Sequence, residues 1–156
     1  MNFLAILVAA IAAMVIGTIW YNPKVFGTAW MNDIGMTEEQ AKSGNMLKIF
    51  GFAFLFSFMI ALSLPASVIH EIGAAQLNGG DATNPAFLEY LAACGEKFRS
   101  FKHGALHGAM LGVLFAFPIL GITAMFEHRS WKYIFIHAGY FIVSLTVMGA
   151  IICGWK

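Results

Sequence analysis

Apolar and polar positions fall along this chain in long blocks rather than in a short repeat. Four blocks without a charged residue, 1–23, 49–69, 104–126 and 133–155, each meet the length that a bilayer demands, about 20 residues for about 30 Å of hydrocarbon. A helix is the open element that satisfies its own backbone hydrogen bonds in lipid. The pattern predicts an all-α integral membrane four-helix bundle, one domain over 1–156, with spans at 3–22, 48–70, 104–126 and 133–155. The first block is N-terminal and rich in small residues, as a signal peptide would be. It lacks a basic n-region and outruns a typical apolar core, so it reads as a retained helix.

The connections differ in kind. Loop 1, from Asn22 to Lys48, holds Thr37-Glu38-Glu39-Gln40, a capping box that starts a short surface helix. Loop 3, Glu127 to Lys132, is a tight polar hairpin, so spans three and four must be antiparallel neighbours. Loop 2 is the longest. After a Gly79-Gly80-Asp81 turn, Asn84 reads as an N-cap with Pro85 at the first helical position. Phe87, Leu91, Cys94, Phe98 and Phe101 then recur at four- and three-residue steps, which predicts an extra amphipathic interfacial helix over 85–102. Lys97, Arg99 and Lys102 would meet lipid phosphates. The same helix could instead cap the bundle without touching lipid.

Composition agrees: 60% hydrophobic and 11% charged, against about 25% charged in a soluble domain. A net charge of +1 gives no reason to expect nucleic acid as a partner. Lys24, Lys42, Lys48, Arg129 and Lys132 on one face oppose Lys97, Arg99, Lys102 and Lys156 on the other, so the positive-inside count is nearly balanced. The first span breaks the tie, because no Lys or Arg precedes it and Lys24 follows. The expectation is a bacterial inner membrane with both termini outside. Trp20, Tyr21, Trp30, Trp131 and Tyr133 would form an aromatic belt at the loop 1 and loop 3 face. Cys94 and Cys153 fall at the other face, where a disulfide is open but two free thiols fit better.

Packing signals are clear. Gly104, Gly108 and Gly112 form one strip in span three, and Ala9, Ala13 and Gly17 another in span one. Such strips allow close backbone approach where lipid supplies no hydrophobic drive. They place span three at the bundle centre or at a subunit interface. Pro65 and Pro118 predict kinks.

The chemical candidates are histidines. His103 and His107 stand four apart on one helical face, and His70 and Glu71 end span two at the same membrane face. Together these four offer the minimum for a zinc or iron site, the one cofactor the chain suggests. His107 and His137 are the titratable groups inside spans, as path residues or as helix-to-helix hydrogen bonds, and lie too far apart to share a ligand. At the hairpin, Glu127 or Asp33 would pair with Arg129, and Arg129 with Lys132 could bind an anionic head group.

Several pieces together resemble one family: Asn2-Phe3-Leu4-Ala5-Ile6-Leu7, Ile19-Trp20-Tyr21-Asn22-Pro23 with Phe26-Gly27 and Trp30, Phe126 to Lys132, Ala138-Gly139-Tyr140 and Met148-Gly149-Ala150-Ile151. The chain is similar to the bacterial and fungal family called domain of unknown function 1761. The resemblance implies a small multi-span membrane protein and brings no activity, cofactor or catalytic residue. Typical members have a shorter link between the middle spans, so the loop 2 helix is a departure.

Three functions remain. An oligomer built through the glycine strip could pass an apolar or lipid-like ligand, with membrane lipids as partners. A membrane metal enzyme could use the interfacial histidines. An accessory subunit could pack its apolar surface into a larger membrane complex. Permeation ranks first, because walls of Ala, Leu, Ile and Phe suit an apolar ligand, and catalysis ranks lower for want of a nucleophile with its base.

Overall fold

The computed structural model describes residues 2–95 and 97–156; Met1, the first residue of the first apolar block, lies outside them. The first span is α1 (Phe3–Trp20). Asn2 caps it by accepting the Ala5 N–H at 3.1 Å, and donates from Nδ2 to the Lys156 carbonyl at 3.2 Å. Both chain ends thus share one face, here called the terminal face. The opposite one is the hairpin face.

Loop 1 is more structured than its polarity suggests. Asn22 accepts from the Lys24 N–H and opens a π turn over Pro23–Gly27, followed by α2 (Thr28–Ile34). A Cβ on Gly27 would collide with the Tyr21 carbonyl, so only glycine lets the chain double back here. The expected helix is α3 (Glu38–Ser43), with the Thr37 and Gln40 capping box formed in both directions.

The second span is α4 (Met46–Ser63) and its continuation α5 (Pro65–Val68). It stops earlier than expected. Ile69 is extended (φ −118°, ψ 104°) and buried, and His70 and Glu71 do not end the span but open a separate helix, α6 (His70–Leu77). The loop 2 helix, α7 (Pro85–Cys94), begins at the expected Asn84 cap. It is corrected at its far end: it covers 85–94 rather than 85–102. The residues after it have better partners elsewhere. Arg99 Nε donates to the Cys153 carbonyl at 3.1 Å, the Cys153 thiol donates to the Phe98 carbonyl at 3.3 Å, and Ser100 Oγ accepts the His103 N–H. Ser100 therefore starts a new helix, and span three begins at Phe101 rather than 104.

That span comprises α8 (Phe101–Leu111), a π turn over Gly112–Ala116 and α9 (Phe117–Phe126). Pro118 has no N–H and its ring crowds the carbonyl four residues back. Widening the preceding turn relieves that crowding, the usual setting of a π bulge. His128, at φ 56°, turns the hairpin, and α10 (Trp131–Gly154) returns across the membrane from its Ser130 cap.

The most buried span, α10, lies between α1 on one side and α8 with α9 on the other. On the α8 side the glycine strip decides the geometry. A Cβ on Gly104 would strike the Gly149 carbonyl, one on Gly108 the Leu145 carbonyl, and one on Gly112 would come within 2.6 Å of Ile142 Cα. Partners that fall as the strip rises make the pair antiparallel. On the α1 side Ala9 and Ala13 are buried, Gly17 meets Tyr140, and Tyr140 Oη donates to the Ala13 carbonyl at 3.3 Å. Large apolar side chains on the outside, such as Phe56, Leu114, Phe115, Ile119 and Ile122, are more than half exposed and suited to lipid.

Candidate functional site

Two places in the fold gather chemistry, one at each face. At the terminal face, Ser100 fixes the start of α8, so His103 and His107 project one turn apart from its first two turns. The extended residue Ile69 redirects the chain leaving span two and brings His70 across to them. His70 Nε2 and His103 Nε2 are 2.8 Å apart, and one ring nitrogen from each of the three histidines lies within 4.8 Å of the others. The ring centroids are 4.8 Å apart for His70 and His103, 5.2 Å for His70 and His107, and 4.4 Å for His103 and His107. Phe98 closes one side, 5.3 Å from both His70 and His103.

Glu71, expected as a fourth ligand, is not among them. Its carboxylate pairs with Arg99 at 3.8 Å, both side chains being largely buried. Arg99, expected at lipid phosphates, is thereby a tether between α6 and the end of α10, whereas Lys97 and Lys102 stay exposed. Cys94 and Cys153 are free thiols.

At the hairpin face, His137 on α10 meets Tyr21 just past α1, with Nδ1 and the phenol oxygen 2.8 Å apart. Tyr133 and Trp30 pack against the same imidazole, at 4.2 and 6.5 Å between centroids. Trp30 reaches it because the π turn folds loop 1 back. A cavity of about 630 Å³ lies beside this group. A second cavity, of about 540 Å³, lies between spans two, three and four, with Leu64, Leu111, Phe115 and Leu145 among its walls.

With that geometry in hand, comparison with known proteins gives one match: residues 4–153 fit the family described as protein of unknown function, DUF1761. The chain belongs to the DUF1761 family. No curated protein and no solved structure matches it.

Other sequence expectations for this DUF1761 chain resolve as follows. Glu127 and Arg129 pair at 3.5 Å on the surface, an interaction of at most about 1 kcal/mol. Asp33 does not pair with Arg129. It accepts from Ser130 Oγ at 2.7 and 2.8 Å, and this bond pins α2 to the hairpin. Arg129 lies over the Tyr133 ring at 5.5 Å, and Lys132 is exposed with no ion pair among the described residues. Trp20 is more than a belt residue. Its indole N–H donates to the Ile136 carbonyl at 3.0 Å and its ring covers Gly139.

What the sequence missed is instructive. The partnership of Tyr21, Trp30 and His137 was hidden because Tyr21 and Trp30 read as interfacial belt residues, while His137 read as a path or helix-to-helix hydrogen-bonding residue with no partner named. The Pro23 to Gly27 segment, an Asn-Pro opening with glycine four residues on, is the signal that could have revealed the fold-back.

Proposed function

We propose that this DUF1761 protein is a membrane metal-binding protein that holds one divalent ion, Zn²⁺ by donor chemistry, between His70, His103 and His107. The convergence of three imidazoles from two different helices, α6 and α8, within 4.8 Å carries the reading. In a tetrahedral zinc site with Zn–N bonds of about 2.0–2.1 Å, ligand nitrogens stand about 3.3 Å apart. The 2.8 Å contact is shorter than that value and the 4.8 Å limit on the set longer, so the nitrogens lie within about 1.5 Å of the spacing an ion needs. Three neutral imidazoles suit zinc, iron or copper better than calcium or magnesium. They leave a fourth position for water or a substrate atom, the arrangement of a Lewis-acid centre at the membrane interface. Glu71 stays outside the ligand set because Arg99 holds it.

Permeation, ranked first on sequence, draws less support. The glycine strip meant to build an oligomer is spent against α10 inside the chain, and the two larger cavities have different walls, sharing no lining residue. For location, we propose a bacterial cytoplasmic membrane with the terminal face outward.

The test is elemental analysis of detergent-purified protein beside a His103→Ala, His107→Ala variant. About one zinc per chain in the wild type, lost in the variant, is the expected result. Wild-type protein that takes up no stoichiometric zinc or iron after loading overturns the reading.

A further inference from the structure

The hairpin-face cavity of about 630 Å³ falls within the range of small-molecule sites, about 300–1,000 Å³. It lies between the end of α1, the start of α4, α10 and the folded-back loop 1. Tyr21, Trp30, Phe50 and Tyr140 give it aromatic walls, Gly17 and Ala53 leave it room, and no charged residue lines it. A ligand that carries a full charge would find no counter-ion there.

The hydrogen bonds beside the cavity are incomplete in a way that specifies a ligand. His137 Nδ1 is matched with Tyr21 Oη, but His137 Nε2 is enclosed without a partner among the described residues. If the Tyr21 hydroxyl donated to Nδ1, a neutral ring would carry its proton on Nε2, leaving a buried N–H with no acceptor. Orphaned N–H groups are the rarer kind, and an under-satisfied acceptor is the better tolerated. With the ring proton assigned to Nδ1 on that ground, Nδ1 donates to the Tyr21 oxygen and Nε2 is left as an under-satisfied acceptor. The Tyr21 hydroxyl hydrogen is then unspent at the cavity wall. Trp30, whose ring is 5.5 Å from that of Tyr21, also has an indole N–H without a partner among the described residues.

We propose that this cavity binds a flat, uncharged, carbonyl-bearing ring with an apolar tail, a quinone-type lipid. The ring fits between aromatic faces, its carbonyl oxygen takes the donors of Tyr21 and Trp30, and the tail leaves past Ile49 and Phe50, each about half exposed on the lipid side. A fatty acid brings a charge with no partner. A plain hydrocarbon leaves both donors unmatched, which costs affinity rather than adding it. The site shares no residue with the histidine cluster, so it stands whether or not that cluster holds metal.

The experiment titrates the full-length protein in detergent with a decyl-substituted benzoquinone, following quenching of tryptophan fluorescence. Saturable quenching at one site per chain is expected, with Tyr21→Phe, which deletes only the donor, weakening it about tenfold. Ala53→Phe, which fills the cavity, should abolish the saturable phase. Decylbenzene, which has the ring and tail but no carbonyl, should not compete. Quenching that rises linearly, as by simple partition into micelles, overturns the proposal. So does a Tyr21→Phe variant that binds as tightly as wild type, or competition by oleate equal to that of the quinone.

Discussion

His70 and His103 are 33 residues apart in sequence and 2.8 Å apart in space, whereas Glu71, next to His70, turns to Arg99. Adjacent residues on a helix do not share a face, so a histidine and its neighbouring glutamate cannot both aim at one ion without a special turn. The pair His103 and His107 was legible from its four-residue spacing alone. His70 was also grouped with them, as the end of span two at the same face; that it meets them from the start of α6 instead depends on Ile69 being extended, a conformation that leaves no local mark. The consequence is measurable. His70→Ala should weaken zinc binding by more than about 100-fold, beyond the range of outer-shell changes, while Glu71→Gln leaves it unchanged, both read by competition with a chromogenic chelator. Imidazole ligates only when neutral, so protons compete with the ion. Acidification from about pH 7.5 to about pH 5.5, across the ordinary histidine range, should therefore release zinc, and returning the pH should restore it.

Among the elements, those written in long blocks or in caps were legible, and those set by contacts between elements were not. Four charge-free blocks give four spans, and Thr37 and Asn84 start helices where their side chains can cap them. The end of α7 at Cys94 was not legible, because the apolar stripe runs on through Phe98 and Phe101 while Arg99 and Ser100 pull the backbone to other partners. The glycine strip was visible, but its destination was not: a small-residue face looks the same whether it meets a neighbouring span or another copy. Its role inside the chain predicts a contrast within one helix run. Gly108→Ala drives a Cβ into the Leu145 carbonyl and should cost about 1–3 kcal/mol of unfolding free energy. Gly121→Ala, where a Cβ meets nothing, should be neutral or stabilise by up to about 1 kcal/mol through helix propensity. Unfolding by graded replacement of mild detergent with dodecyl sulfate measures both.

For the whole molecule, α10 joins two unlike faces. His137 stands 16 residues before Cys153, about 24 Å along the helix, so the histidine cluster and the aromatic cavity lie toward opposite ends of the bundle. Which side each occupies depends on nine basic residues split five to four. A bias of one charge is weak, and orientation follows the excess of Lys and Arg in short loops near the span ends. The proposed orientation, with loop 1 in the cytoplasm and the terminal face outward, therefore rests on Lys24 just after the first span. A single cysteine at Asp81, exposed in the turn made by Gly79 and Gly80 at positive φ, reports this in a background with Cys94 and Cys153 changed to serine. In intact cells an impermeant maleimide should label the cysteine of Asp81→Cys and spare that of Lys42→Cys in loop 1. The reverse pattern would put the histidines in the reducing cytoplasm, with its buffered zinc, and the cavity on the outer leaflet. Labelling of both would mean that the near-balanced charges allow two insertions of one chain. Adding two lysines to loop 1 should then restore a single orientation, because it raises the bias from one charge to three.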